Sequence, residues 1–270
     1  MVGEQKLPIT RACAHIGLAR SSYYERPVTK CKADAPIADA LNQVVAKNGR
    51  WGFRLCFDYL RNQGHTWNHK RVWRIYKQLG LNLPRRAKKR LAKMPKHPLI
   101  APTQPNTIWA LDFMYDTLQY GRPFRTLNVI DESNREALAI EIDMSLPSAR
   151  VIRVLEQLEE ICGLPEAIRL DNGSEYRSAT FTQWAASKQI QLKFIQPGKP
   201  QQNAFIERFN RTYRHEVLNA YLFESLDEVR EITDQWLKVY NEERPHRALG
   251  KLSPKHYRQQ AENSTFEMSA

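Results

Sequence analysis

The chain has 270 residues, 42% of them apolar, and a formal net charge of +12; this excludes a disordered tail and allows one large domain or two to three small ones. No apolar run approaches bilayer length and no signal-peptide pattern opens the chain, so a cytoplasmic protein with no membrane partner is expected. The charge is lopsided: residues 1–100 carry 21 Lys and Arg against 5 Asp and Glu, whereas residues 101–270 carry 20 against 24, which predicts a front that grips a polyanion and a back with a different task.

In chain order, residues 9–24 place apolar side chains at helical spacing, break at Gly17 and restart at Ser21-Ser22, a short helix–turn–helix pattern within a segment 1–30. Three further helices are predicted over 37–46, 54–62 and 68–80, forming a second helix–turn–helix module over 35–83. On the last of these, Val72, Ile75 and Leu79 point one way and leave Lys70, Arg71, Arg74 and Lys77 for solvent or phosphate. His65 and His69, with Cys56 upstream, stand at a metal-ligand spacing, but without a second cysteine they read as ordinary polar histidines rather than a zinc site. The four cysteines, Cys13, Cys31, Cys56 and Cys162, contain no CxxC pair and are expected as reduced thiols. Residues 84–104 are too basic and too rich in proline to pack, and read as a linker on DNA.

From residue 105 the texture becomes α/β. Trp109, Leu111, Phe113 and Tyr115 alternate with Ala110, Asp112, Met114 and Asp116, the period of a strand. Strands follow over 125–131 and 137–142, then an amphipathic helix over 148–162, short strands over 167–170 and 191–195, and helices over 201–221 and 226–241. This order, three strands, helix, strand, helix, strand, helix, predicts a ribonuclease-H-like α/β domain over 105–258, with 259–270 as a tail.

Three carboxylates stand out by position. Asp112 lies mid-strand, Asp171 where a strand runs into the turn Asn172-Gly173, and Glu207 in the first turns of a helix, with 35 residues between the last two. Such hard oxygen ligands suit two Mg²⁺ about 4 Å apart, one activating the attacking oxygen of a phosphoryl transfer and one steadying the leaving oxygen. Along the helix, Asn203, Glu207, Asn210 and Arg214 form a polar stripe beside the core stripe Ile206, Phe209, Tyr213 and Val217. Lys199, Asn203, Asn210, Arg214 and Arg244 join Lys70, Arg71, Arg74 and Lys77 as candidate DNA contacts. Asp116, Asp131, Asp143 and Glu175 compete with the three carboxylates, because spacing alone does not separate them. Each acid also has a plain reading: an isolated strand aspartate is often an edge residue, and a glutamate in a first helical turn is favoured by the helix dipole.

The stretches WALDFMYD, RPFRTLNVIDESNREALAIEIDMSLPSARV, LDNGSEY, PGKPQQNAFIERFNR and YNEERPHRALGKLSP resemble the integrase core of OrfB-type transposases of the insertion-sequence-three family, and residues 48–81 resemble the helix–turn–helix module that precedes it. The resemblance covers residues 9–257 and implies a retroviral-integrase-like core with a catalytic triad at Asp112, Asp171 and Glu207, and a basic residue seven positions on at Arg214. It further implies Mg²⁺, with Mn²⁺ able to substitute, and cleavage at element ends in double-stranded DNA followed by attack of the freed 3′-hydroxyl. The resemblance also implies a homo-oligomer on nucleoid DNA and a separate upstream-frame segment supplying further DNA binding. Ser174 departs from the family, which often has proline there. A hydrolysis-only nuclease of the same fold and a non-catalytic regulator are the rival expectations.

Overall fold

The computed structural model describes residues 8–17, 19, 30–84, 99, 101–196 and 200–269. The chain divides into two units, Met1–Pro84 and Arg85–Ala270. Most of the predicted basic linker and the second half of the first helix–turn–helix pattern lie outside the described residues.

In the first unit, α1 (Ile9–His15) is followed by α2 (Lys30–Lys47), α3 (Phe53–Asn62) and α4 (His69–Gln78). Most of the apolar spacing acts as predicted, since Ile37, Leu41, Cys56, Leu60, Val72, Ile75 and Tyr76 are all buried. Leu79, expected on the face of Val72 and Ile75, lies instead at the C-cap of α4 and is exposed. Asn68 starts α4 by accepting the Lys70 backbone N–H at 2.9 Å. α2 begins seven residues earlier than its apolar pattern does and runs through Pro36. This extension brings Asp34 into the module, where its carboxylate takes Arg71 at 2.8 Å and Arg74 at 2.6 Å. The Cys56 thiol is pushed up to about 12 by burial, and its Sγ donates to the Trp51 carbonyl, so it is a core thiol. His65 stacks on Trp67, and His69 packs edge-on against Phe53 and Phe57.

The second unit is the expected ribonuclease-H-like architecture. β1 (Ile108–Thr117), β2 (Pro123–Asp131) and β3 (Ala137–Asp143) form an antiparallel meander, and β4 (Ala167–Leu170) and β5 (Gln191–Phe194) add in parallel on the β1 side. α5 (Ser148–Cys162), α6 (Ser174–Arg177) and α7 (Ala179–Ser187) carry the crossovers. Trp109, Leu111, Leu127, Val129, Ile168 and Leu170 pack on one face against Val151, Val154, Leu155 and Phe181. The other face holds Ala110, Met114, Ile130 and Ile142 against α8 (Ala204–Tyr213) and α9 (Leu226–Lys238). Strand alternation therefore decides which face of β1 Asp112 shares: that of Ala110 and Met114, under α8.

The two terminal helices of the sequence reading are each interrupted. A 3₁₀ turn (Pro200–Asn203) precedes α8 and a π turn (Arg214–Leu218) ends it, while α9 passes into a π turn (Val239–Glu243). Each π turn shifts the register from i+4 to i+5, as in the Asn219 N–H donating to the Arg214 carbonyl at 2.8 Å. A 3₁₀ turn (Arg247–Leu249) and α10 (Pro254–Ser269) complete the chain.

His246 packs edge-on against Tyr240, and burial, reinforced by Arg244, Arg208 and Arg135, pulls its pKa down to about 3. Its lowered folded pKa makes its contribution stabilising above the unfolded value near 6.5 and progressively lost as the pH falls toward 3, because the unfolded chain takes a proton that the folded one refuses. The expected result is that His246→Phe narrows the acid sensitivity. Compared with the variant, the wild type should lose about 3 kcal/mol more stability between pH 7 and pH 4, read by denaturant unfolding. Parallel pH profiles for the two proteins would show that His246 is not held neutral.

Candidate active site

β1 and β4 run parallel with Ile108 opposite Ala167 and Ala110 opposite Arg169. Continuing this register past the last pair sets Asp171 opposite Asp112. Asp171 leaves β4 into a turn that it closes itself, its Oδ1 accepting the Gly173 N–H at 2.9 Å. Glu207 lies in the first turn of α8, the helix laid over the Asp112 face, and is half-buried. Its carboxylate makes no hydrogen bond among the described residues.

Asp112 is the electrostatic centre of the group. Its pKa is raised to about 7, first by burial and then by the neighbouring charges of Asp171 and Glu207, against the opposing pull of the Phe113 N–H and the Asn210 amide. Its Oδ1 accepts from Phe113 N–H at 2.9 Å and its Oδ2 from Asn210 Nδ2 at 2.8 Å.

The four competing acids are occupied elsewhere. Asp116 accepts Arg214 at 3.1 Å, and Asp143 sits 3.3 Å from Arg150. Asp131 is buried and closes its turn by accepting Ser133 N–H at 2.7 Å and Asn106 N–H at 2.7 Å. Glu175 is held by Arg125 at 2.6 Å; hydrogen bonds from Arg125 and Ser174 outweigh its burial and lower its pKa. Arg125 is itself fixed over the Phe113 and Tyr115 rings. Among the described residues, Asp112, Asp171 and Glu207 have no such cation.

The donor set therefore fits a hard divalent cation in oxygen type and in uncompensated negative charge. Among the described residues no group of three His, Cys, Asp or Glu side chains is close enough to hold one metal ion together. The charges of Asp171 and Glu207 act on Asp112, but the three carboxylates do not close on a common point.

The remaining candidate residues divide. Arg214, at the first position of the π turn, donates to Asp116 and to the Tyr115 carbonyl at 2.7 Å, placing it along β1 beyond Asp112. Asn203 and Asn210 are not on an open stripe: they are 3% and 9% exposed, and the Asn210 amide is used up between Asp112 and Asn128. α8 lies with this side against the sheet, so Asn210 faces the strands and not DNA, contrary to expectation. Arg244 is turned inward onto Glu216 at 3.1 Å, a carboxylate that also accepts the Trp236 indole N–H at 2.9 Å. Lys199 falls outside the described residues. In the first unit, Arg71 and Arg74 keep roughly 40% of their side-chain surface while paired with Asp34, so both can still meet a phosphate. Lys70 is exposed, and Lys77 lies over the Trp73 ring.

The sequence reading missed Thr126, Asn128 and Arg125. Asn128 left a signal, a lone amide inside the apolar strand run TLNVID.

Comparison with known proteins adds two matches to the integrase core domain family, over residues 102–200 and 188–254, and one to the HTH-like domain family over residues 32–90. The chain is 36% identical to the insertion element IS407 uncharacterized 31.7 kDa protein of Burkholderia multivorans, over 92% of this chain and 89% of the relative. It is 34% identical to the insertion element IS476 uncharacterized 39.2 kDa protein of Xanthomonas euvesicatoria, over 94% and 73%. A putative transposase for insertion sequence element IS150 of Escherichia coli is 24% identical over 95% of both chains. Among solved structures, the HTLV-2 integrase catalytic core domain in complex with magnesium aligns over 57% of this chain and 97% of its own, at 19% identity and a TM-score of 0.47.

Proposed function

This chain belongs to the integrase-core transposases of bacterial insertion elements, of the insertion-sequence-three OrfB type, and on that footing we propose that Asp112, Asp171 and Glu207 are its catalytic carboxylates. Its activity is that of a DNA transposase, a polynucleotidyl transferase. One observation carries the site assignment. Among the described residues these three carboxylates have no cationic partner, whereas Asp116, Asp143 and Glu175 each hold an arginine and Asp131 is taken up by the Asn106 and Ser133 N–H groups.

The substrate is the end of an insertion element in double-stranded DNA. In the first step a water oxygen forms a bond to phosphorus, the P–O3′ bond breaks, and the proton lost by water balances the one gained by the departing 3′-oxygen. In the second, that 3′-hydroxyl attacks another phosphodiester in line and displaces its 3′-oxygen. Two Mg²⁺ ions, or Mn²⁺ in their place, would be held by Asp112, Asp171 and Glu207 and supply Lewis-acid charge at the reacting phosphate. The chain's own groups position this chemistry. Asp112 is fixed through both oxygens, Asp171 is held by the turn it closes, and Glu207 is aimed by the first turn of α8. Arg214 reaches a phosphate on exchanging its bond to Asp116.

Duplex DNA is the partner that the HTH-like module serves, with exposed Lys70 and the partly exposed Arg71 and Arg74 as its phosphate contacts. Two DNA ends brought together call for a homo-oligomer, and an upstream-frame segment supplies end recognition that one short helix does not. The test is incubation with labelled element-end duplex in Mg²⁺ or Mn²⁺. Nicked and joined products support the reading, nicked product alone makes the chain a nuclease, and binding without either makes it a regulator.

Gly173 tests the Asp171 turn. Its φ of −57° suits any residue, but a Cβ there would stand 3.0 Å from Asp171 Oδ1. Gly173→Ala is expected to lower the cleavage rate by about tenfold or more through displacement of that carboxylate, while the melting temperature changes little. Wild-type cleavage by the alanine variant would show that Asp171 need not sit where the turn puts it.

A further inference from the structure

A directional chain of polar side chains lies behind Asp112, in a region that aliphatic residues would fill at lower cost. Thr126 and Asn128 on β2 are fully buried, and Asn128 is the register partner of Asp112. Asn210 Nδ2 donates to Asp112 Oδ2 at 2.8 Å, Asn128 Nδ2 donates to Asn210 Oδ1 at 2.7 Å, and Thr126 Oγ1 donates to Asn128 Oδ1 at 3.1 Å. The carboxylate imposes the polarity. Ionised, it only accepts, so Asn210 must turn its NH₂ toward it, Asn128 must offer NH₂ to the oxygen left over, and Thr126 must give its hydroxyl proton.

We propose that Thr126 and Asn128 are positioning residues of the active site: through Asn210 they lock the torsion of the Asp112 carboxylate and hold its free lone pairs ready for a divalent cation. The proposal rests on the assignment of Asp112 to the triad. Without the Thr126 hydroxyl, the Asn128 amide can turn over, and Asn210 can follow, presenting an oxygen to Asp112. Second partners of metal-binding groups typically change metal affinity by about 10- to 100-fold when removed. A chain that merely satisfies buried amides would leave that affinity unmoved.

The experiment uses the full chain and Mn²⁺ as the probe. Bound Mn²⁺ is read by electron paramagnetic resonance, beside thermal unfolding in metal-free buffer and joining of a pre-cut element end. Thr126→Val, equal in size but without a donor, should raise the Mn²⁺ midpoint by about tenfold. Thr126→Ser, which restores the donor, should bring it back. Asn128→Asp, which accepts where Asn128 donates, should raise it further. Should Asn128→Asp not fold, the Val and Ser pair decides. Unchanged midpoints in Thr126→Val and Asn128→Asp, with only a lower melting temperature, overturn the proposal. Asp112→Asn separates the two readings. If it binds Mn²⁺ and joins ends as the wild type does, the triad assignment has failed and the relay with it. If it loses both while Thr126→Val matches the wild type, the relay alone has failed.

Discussion

Asp112→Asn, Asp171→Asn and Glu207→Gln are each expected to lower end cleavage and joining by about three orders of magnitude or more, the scale at which loss of an essential group is felt in enzymes whose catalytic groups act as a unit. DNA affinity should change by less than about twofold, because no substitution touches the cationic face of the HTH-like module. The three effects should not add, since one missing carboxylate already disables the set. Stability gives an internal control. Asp112 has a folded pKa raised to about 7, so its contribution to stability is fully present below its usual value and is lost as pH rises through 7. At pH 8 and without metal, Asp112→Asn should thus be at least as stable as the wild type, and inactivity cannot be laid to unfolding. Asp116→Asn, which releases Arg214, should cost far less activity than any of the three. If one triad variant kept full activity, that residue would leave the site, and Asp116 and Glu175 would be the next to test.

The largest effect on stability is expected at Glu132, far in character from the triad although also an acid. Its side chain is fully buried after the end of β2, and Arg169 reaches it from β4 across β1 with bonds of 2.7 and 3.3 Å. Burial raises its pKa and Arg169 opposes that. Removing the guanidinium strands a buried charge, so Arg169→Leu should cost about 3–5 kcal/mol, whereas exchanging both partners for apolar residues of similar volume should recover most of the loss. For a unit of this size the single variant should melt on the order of 10 °C lower. Arg135, the next cation to Glu132, sets the limit of the argument. A loss under about 1 kcal/mol in Arg169→Leu would mean that Arg135 already neutralises Glu132.

Much of this molecule was legible in order of residues alone. Period-two alternation located β1 and the face that Asp112 shares, because successive side chains on a strand must point oppositely. The 3.6 period marked α5 from Ser148 to Cys162. The turn after β4 was visible in Asn172-Gly173, and the charge asymmetry separated a basic front from an acidic back. The family resemblance picked Asp112, Asp171 and Glu207 from a field that spacing alone left crowded.

Only the tertiary structure settled which polar groups meet. Arg125 and Glu175 are 50 residues apart, Asp116 and Arg214 are 98 apart, and no local period encodes such pairs. Their meeting is what removes Glu175 and Asp116 from competition. Asn210 illustrates the limit most directly: on a helical wheel it lies on a polar stripe and reads as solvent-facing. The fold lays that stripe on β1 and β2, where its amide joins Asp112 to Asn128. A stripe's polarity is local and belongs to the sequence, but whether water, DNA or another amide satisfies it depends on what the chain packs against it.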